Sequence, residues 1–393
     1  ADGDARLRVR RTGARPYFRQ MSGYRDVRES LVPWGRMPLL GAVAALALAL
    51  WGCEGGPVEP VQSGQVEPVA RPSVVRGIYV NAQVAGSSAR LEDLLSLADT
   101  TGLNTFVIDV KERGEVSYAS AVPMVAQAGA MRDYIEDLPA LLRTLRERGI
   151  YPVARIVCFR DPVLAEARPD LAVLTSAGGP WLDPENDRPW VDPFNEEVWA
   201  YNIDLAREAL DIGFAEIQWD YVRFPDVTDS VQAEQTYPAR AARTNTEGIE
   251  DFVAAAQSAL GDRAPITADV FGRVLTETGA SNIGQEFEPL VRVTDVLLPM
   301  VYPSLYTPNY FGRPDPSADP YHTVRTALDT AVARHARTDG AIATIRPWLQ
   351  AFTLGSTDYG PDQLLEQIRA VEDAGLSEYF FWHPESRYPD GVF

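Results

Sequence analysis

Only two of the 393 residues are cysteines, Cys53 and Cys158, and only three are histidines, His322, His335 and His383. Two cysteines cannot build a disulfide framework. Three scattered histidines argue against a histidine-based zinc site, so no metal and no cofactor is expected. Lysine is scarcer still: Lys111 is the single one, and every other basic residue is arginine. The chain contains no GxGxxG and no Walker motif, the glycine-rich loops that cradle phosphates. Positive charge is in deficit, with 36 Lys and Arg against 55 Asp and Glu and a net charge of −19. Such a surface repels nucleic acid phosphates and suits a neutral or cationic ligand.

A long apolar run is missing too. The most hydrophobic stretch, Met37 to Leu50, is shorter than the twenty or so residues a spanning helix needs. It fits the apolar region of a secretory signal, because residues 1–52 carry nine arginines and a local charge of +5 ahead of it. Leu50-Trp51-Gly52-Cys53 follows and resembles the bacterial lipobox, with Trp51 where a smaller residue is usual. Residues 1–53 therefore read as a signal peptide, which Met21 could open, with Cys53 lipidated and the protein anchored outside the cytoplasmic membrane. Residues 54–73, rich in Pro, Gly, Gln and Glu, read as a flexible linker.

From residue 74 onward, short apolar runs alternate with helical patterns. The runs end at Val80, Val110, Cys158, Asp220, Phe271, Tyr302, Phe352 and His383. Between them, sets such as Ile135, Leu138, Leu141, Leu142 and Leu145 recur at helical spacing. Eight strand–helix units predict an α/β fold closed into a (β/α)8 TIM barrel over residues 74–393. The connections after strands are long, notably 111–133, 159–194, 221–246 and 303–318, and in a barrel these gather on the C-terminal face, where sites are built.

Residues at the strand ends supply candidates. In the fourth run Glu216, Gln218 and Asp220 share parity and should face the barrel interior, with Asp220 at the mouth. Asp269 ends the adjacent fifth run. Two carboxyl groups on neighbouring strand ends are the minimum equipment for glycosidic cleavage, one as acid and one as base or nucleophile. In the second run Asp109 and Lys111 share parity and are expected to form a pair able to touch a sugar hydroxyl. Arg155 and Gln350 could donate hydrogen bonds, and Arg223 could pair with Asp220 or orient the loop. Sugars stack on aromatic rings, and Tyr302 and Trp382 are the best placed; Trp219 and Tyr221 face away from Asp220 and read as packing. Cys158 reads as a buried small hydrophobe.

Segments FVIDVKERGEV, YPVARIVCFRDP, FAEIQWDYVRFP, ITADVFG, DVLLPMVYPSLY and YFFWHP together resemble a bacterial glycosyl hydrolase domain family of uncharacterised function. The resemblance runs from about Arg76 to Pro384 and implies a barrel with acidic site residues on strands four and five, here Asp220 and Asp269. A weaker likeness to chitinase-type barrels rests on EIQWDY, on Met300-Val301-Tyr302 and on Trp382. Gln218, Asp220 and Pro303 depart from that pattern, which argues against substrate-assisted cleavage of N-acetyl sugars. The expected partner is a carbohydrate, either cleaved by a glycoside hydrolase or held by a non-catalytic barrel that has kept the fold.

Overall fold

Residues 68–278 and 282–393 are described by the computed structural model of the chain. The signal peptide, the lipobox with Cys53 and most of the expected linker lie outside these residues. Eight strands form the centre: β1 (Arg76–Val80), β2 (Thr105–Glu112), β3 (Tyr151–Val157), β4 (Glu216–Asp220), β5 (Ile266–Phe271), β6 (Val296–Met300), β7 (Trp348–Gln350) and β8 (Tyr379–Trp382). Each runs parallel to its chain neighbour, and β8 pairs back onto β1. The sheet therefore closes on itself as a (β/α)8 barrel and leaves no strand edge open.

Seven amphipathic helices cover the wall: α1 (Ser88–Asp99), α2 (Leu138–Glu147), α3 (Glu196–Ile212), α4 (Asn245–Leu260), α5 (Phe287–Val293), α6 (Pro320–His335) and α7 (Pro361–Asp373). Local chemistry sets their ends. Asn195 caps α3 by accepting from the Glu197 N–H, and Thr244 with Glu247 makes a reciprocal capping box on α4. Past α2 the chain turns through Gly149 at φ 68°, a left-handed conformation that glycine adopts freely.

Two runs differ from the sequence expectation. The seventh is split into Thr344–Ile345 and Trp348–Gln350 because Pro347 between them has no N–H to give the ladder. The second continues past Val110 to Glu112, with a shift in register between Asp109 and Lys111. At the lower end of the barrel Gly77 leaves room for its neighbours: a Cβ there would sit 2.6 Å from the Thr105 carbonyl oxygen and 2.9 Å from the Phe380 ring. Arg71, within the expected linker, closes this end through Glu378, 2.7 Å from Oε1.

Candidate active site

The inward faces of the strands carry a column of polar side chains along the barrel axis. At its lower end Glu216 and Arg346 form an ion pair at 2.6 Å, both wholly shielded from solvent, and Arg346 Nε donates to Glu378 at 3.0 Å. One level up, Asp269 accepts from Gln218 Nε2 on Oδ2 and from Trp348 Nε1 on Oδ1, each at 2.8 Å. At the mouth the Arg155 guanidinium gathers three carboxylates from two strands. Its Nε and Nη2 fork onto Asp220 Oδ2 at 3.0 and 2.6 Å, and its Nη1 reaches Asp109 Oδ1 and, at 2.7 Å, Glu112 Oε2. Asp220 Oδ1 accepts from the Tyr221 N–H. The Tyr79 hydroxyl donates to the other Asp109 oxygen. Tyr79 stacks on Trp382 with ring centres 3.7 Å apart, and the guanidinium lies 4.9 Å from the Trp382 ring centre.

The carboxyl groups differ in how they hold protons. Burial, reinforced by the charge of Asp220, pushes the Asp269 carboxyl well above the usual carboxylate range. Each Asp269 oxygen has a second lone pair, so a proton on one is compatible with both donors. Asp109 is raised to about 7, chiefly by burial, with Arg155 opposing and Glu112 adding to the rise. Burial also acts on Glu112, but Arg155 outweighs it and holds that carboxyl below its ordinary value. The Tyr302 phenol is raised by burial and by the charges of Asp269 and then Asp220. Among the described residues no group of three or more His, Cys, Asp and Glu side chains is arranged to hold a metal ion.

Of the sequence candidates, Asp109, Arg155, Gln218, Asp220, Asp269, Tyr302 and Trp382 converge on this column. Three do something else. Lys111 does not pair with Asp109: the β-bulge between them turns it out of the barrel, where its ammonium is fully buried against Asp161 at 2.9 Å and Asn202 at 2.7 Å. Gln350 faces the mouth but its amide is taken up locally, accepting from the Ser304 N–H and donating to the Ser304 hydroxyl and the Phe352 carbonyl. It anchors the turn after β6. Arg223 lies over the rings of Tyr221, Phe271 and Trp190 at 4.7, 4.7 and 5.2 Å, while Arg155 is the guanidinium that forks onto Asp220. Tyr221, read as wall packing, sits instead above the barrel at φ 48°, its hydroxyl accepting from Arg160. Trp219 does pack against the wall, edge-on to Phe252 of α4. Cys158 is buried.

Tyr79 and Glu112 were not singled out from the sequence as site residues. Parity applied to β1 would have found Tyr79, which alternates with Gly77 on the inner face. Glu112 had no such signal, because the bulge reverses its parity.

The family model described as "Putative glycosyl hydrolase domain" matches residues 77–388. Among solved structures, a hypothetical protein from Ruminiclostridium thermocellum is 35% identical, covering 49% of this chain and 97% of its own, with a TM-score of 0.46. The PgaB (BpsB) glycoside hydrolase domain from Bordetella bronchiseptica is 13% identical over 80% of this chain and 95% of its own, with a TM-score of 0.56. An alpha-galactosidase from Thermus thermophilus is 16% identical over 82% of this chain and 64% of its own, with a TM-score of 0.50. The last two likenesses speak to the barrel fold. No curated protein matches.

Proposed function

Since the chain belongs to the glycosyl hydrolase domain family matched over residues 77–388, we propose that it hydrolyses a polysaccharide or glycan outside the cytoplasmic membrane, with Asp269 as general acid and Asp220 as nucleophile or base. The observation that carries this reading is the asymmetry of the pair. Asp269 is biased toward its protonated form by burial and by Asp220, whereas Asp220 is ion-paired with Arg155. Asp269 would deliver its proton to the glycosidic oxygen as the bond to the anomeric carbon breaks. Asp220 would meet the developing oxocarbenium ion, either bonding to it or directing a water at it. Adjacent strands favour close approach of the two carboxyls and therefore retention of configuration. Trp382, half-buried beside Tyr79, offers a ring edge for the sugar. The extracytoplasmic setting and the lipid at Cys53 rest on the basic segment, the short apolar run and the lipobox-like sequence.

A specific observation favours a second reading, a carbohydrate-binding barrel without turnover. Asp109, Asp220 and Asp269 are 2, 6 and 2% exposed, and every oxygen of the three carboxyls already has a protein donor. Under the hydrolase reading, substrate must displace part of this network. Asp220→Asn and Asp269→Asn decide between the two: loss of reducing-sugar release supports catalysis. A parent that never cleaves, with both variants binding glycan as the parent does, supports the binder.

A further inference from the structure

The single lysine lies outside the carboxylate cluster, yet its setting decides which side chains of β2 enter it. Asp109 stands opposite Arg155, and Lys111 opposite Ile156, one residue out of step. In an unbroken strand residues 109 and 111 would share a face and 112 would lie on the other. The bulge instead sends Asp109 inward and Lys111 outward, and it returns Glu112 to the barrel mouth. Asp109 and Glu112 thereby reach the same nitrogen, Nη1 of Arg155.

The Ser117 hydroxyl ties the backbone of the bulge by donating to the Asp109 and Val110 carbonyls, and the seat of the ammonium holds its outward side chain. Lys111 Nζ donates to Asp161 Oδ2 and Asn202 Oδ1 and lies 4.7 Å from the Tyr201 ring centre. Both acceptors are fixed in turn. The Asn202 amide donates to the Val198 carbonyl within α3, and Asp161 Oδ1 caps the helix Pro162–Ala167 through the Leu164 N–H. A strand that slipped back into register would carry this ammonium into the barrel, away from both acceptors, and leave the Asp161 carboxylate buried without its partner.

Resting on the assignment of Asp220 above, we infer that Lys111 is a positioning residue: by pinning the bulge it places Glu112 on Arg155, and through that guanidinium it sets the electrostatics of Asp220 and Asp109. The charged and titratable groups facing Asp109 are Tyr79 from β1, Glu112 from its own strand and Arg155 from β3, with Asp220 of β4 on the far side of the guanidinium. Glu112 raises the Asp109 carboxyl and Arg155 lowers it. Freeing Glu112 removes a raising neighbour and leaves more of the guanidinium to Asp109, so the Asp109 midpoint must fall.

The test follows Asp109 by carboxyl carbon NMR in the full chain carrying labelled aspartate. Two perturbations are compared: Glu112→Gln, and the neutral latch Lys111→Met with Asp161→Asn, which removes both charges and keeps an acceptor for the Leu164 N–H. Each should lower the Asp109 midpoint by about half a pH unit or more, and combining them should add nothing beyond the larger single shift. Asn202→Leu, a milder break of the same latch, should shift the midpoint in the same direction even if the neutral latch does not fold. An unchanged midpoint in a folded latch variant, or shifts that simply add, would overturn the inference. A parent that cleaves no glycan would sink the proposed function, while the midpoints would still decide the latch. With a substrate in hand, Glu112→Gln and the latch variant should each lower kcat by about tenfold to a hundredfold with little change in KM, and together no further; additive losses would count against the latch.

Discussion

Asp109→Asn is a near-isosteric change whose effect on stability should reverse the usual expectation for loss of an ion pair. The Asp109 carboxyl rises from an ordinary 3.8 to about 7 in the folded chain, so folding favours its protonated form. A group raised in this way contributes stability that is complete below its unfolded value and is lost as pH rises through the folded one. Each tenfold change in proton affinity is worth about 1.4 kcal/mol, so the charged carboxylate costs the fold about 4 kcal/mol once the pH exceeds 7. Asparagine stands in for the neutral acid: its oxygen can accept from Arg155 Nη1 and its amide can donate to the Tyr79 oxygen. The variant should therefore match the parent near pH 4, gain on it between pH 4 and 7, and exceed it by up to about 4 kcal/mol at pH 8. Urea unfolding of both proteins at pH 4.5, 6 and 8 measures this directly. A variant less stable than the parent at pH 8, or a difference that does not grow with pH, would show that Arg155 and Tyr79 more than compensate the buried charge.

Arg346→Met should cost about 3–5 kcal/mol, because it leaves Glu216 buried without its cation, and Arg346→Met with Glu216→Gln should recover a large part of that in the same unfolding assay. Cys53→Ser should abolish lipid labelling and release or trap the protein; equal membrane retention, with no lipid on the parent, would refute the lipoprotein reading. Asp269→Asn should lower turnover by about 10²–10⁴-fold, the usual contribution of a general acid, measured as reducing ends released; a smaller loss would move the acid elsewhere, with Asp109 next in line.

Strand–helix alternation from residue 74 onward was enough to read the closed barrel, and parity alone was enough for β4. There Glu216, Gln218 and Asp220 do share the inner face, meeting Arg346, Asp269 and Arg155 in turn. Parity failed on β2 because a bulge is a local departure from the period of two that parity assumes, and nothing in DVKERGEV marks where the extra residue falls. The rarity of lysine pointed to a special setting for Lys111, but rarity says nothing about which side of the wall it occupies. Gln350 was read as a free donor and Arg223 as a partner of Asp220 or of the loop, because a sequence shows donors without their acceptors, here Ser304 and Phe352 for the first and the Phe224 carbonyl beside a nest of aromatic rings for the second. The convergence of Asp109, Glu112 and Asp220 on one guanidinium depends on three-dimensional register, set by the pairing of Asp109 with Arg155 and of Arg155 with Gln218.

The division of labour between Asp269 and Asp220 is most directly tested by comparing leaving groups. A parent that releases reducing ends from a polysaccharide panel would be paired with Asp269→Asn on the same polymer and on an aryl glycoside of the same sugar. An aryl leaving group departs without a proton, so Asp269→Asn should lose about 10²–10⁴-fold on the polymer and far less on the aryl glycoside, while Asp220→Asn loses activity on both. Equal loss of the two substrates in Asp269→Asn, or full activity in Asp220→Asn, would contradict the account.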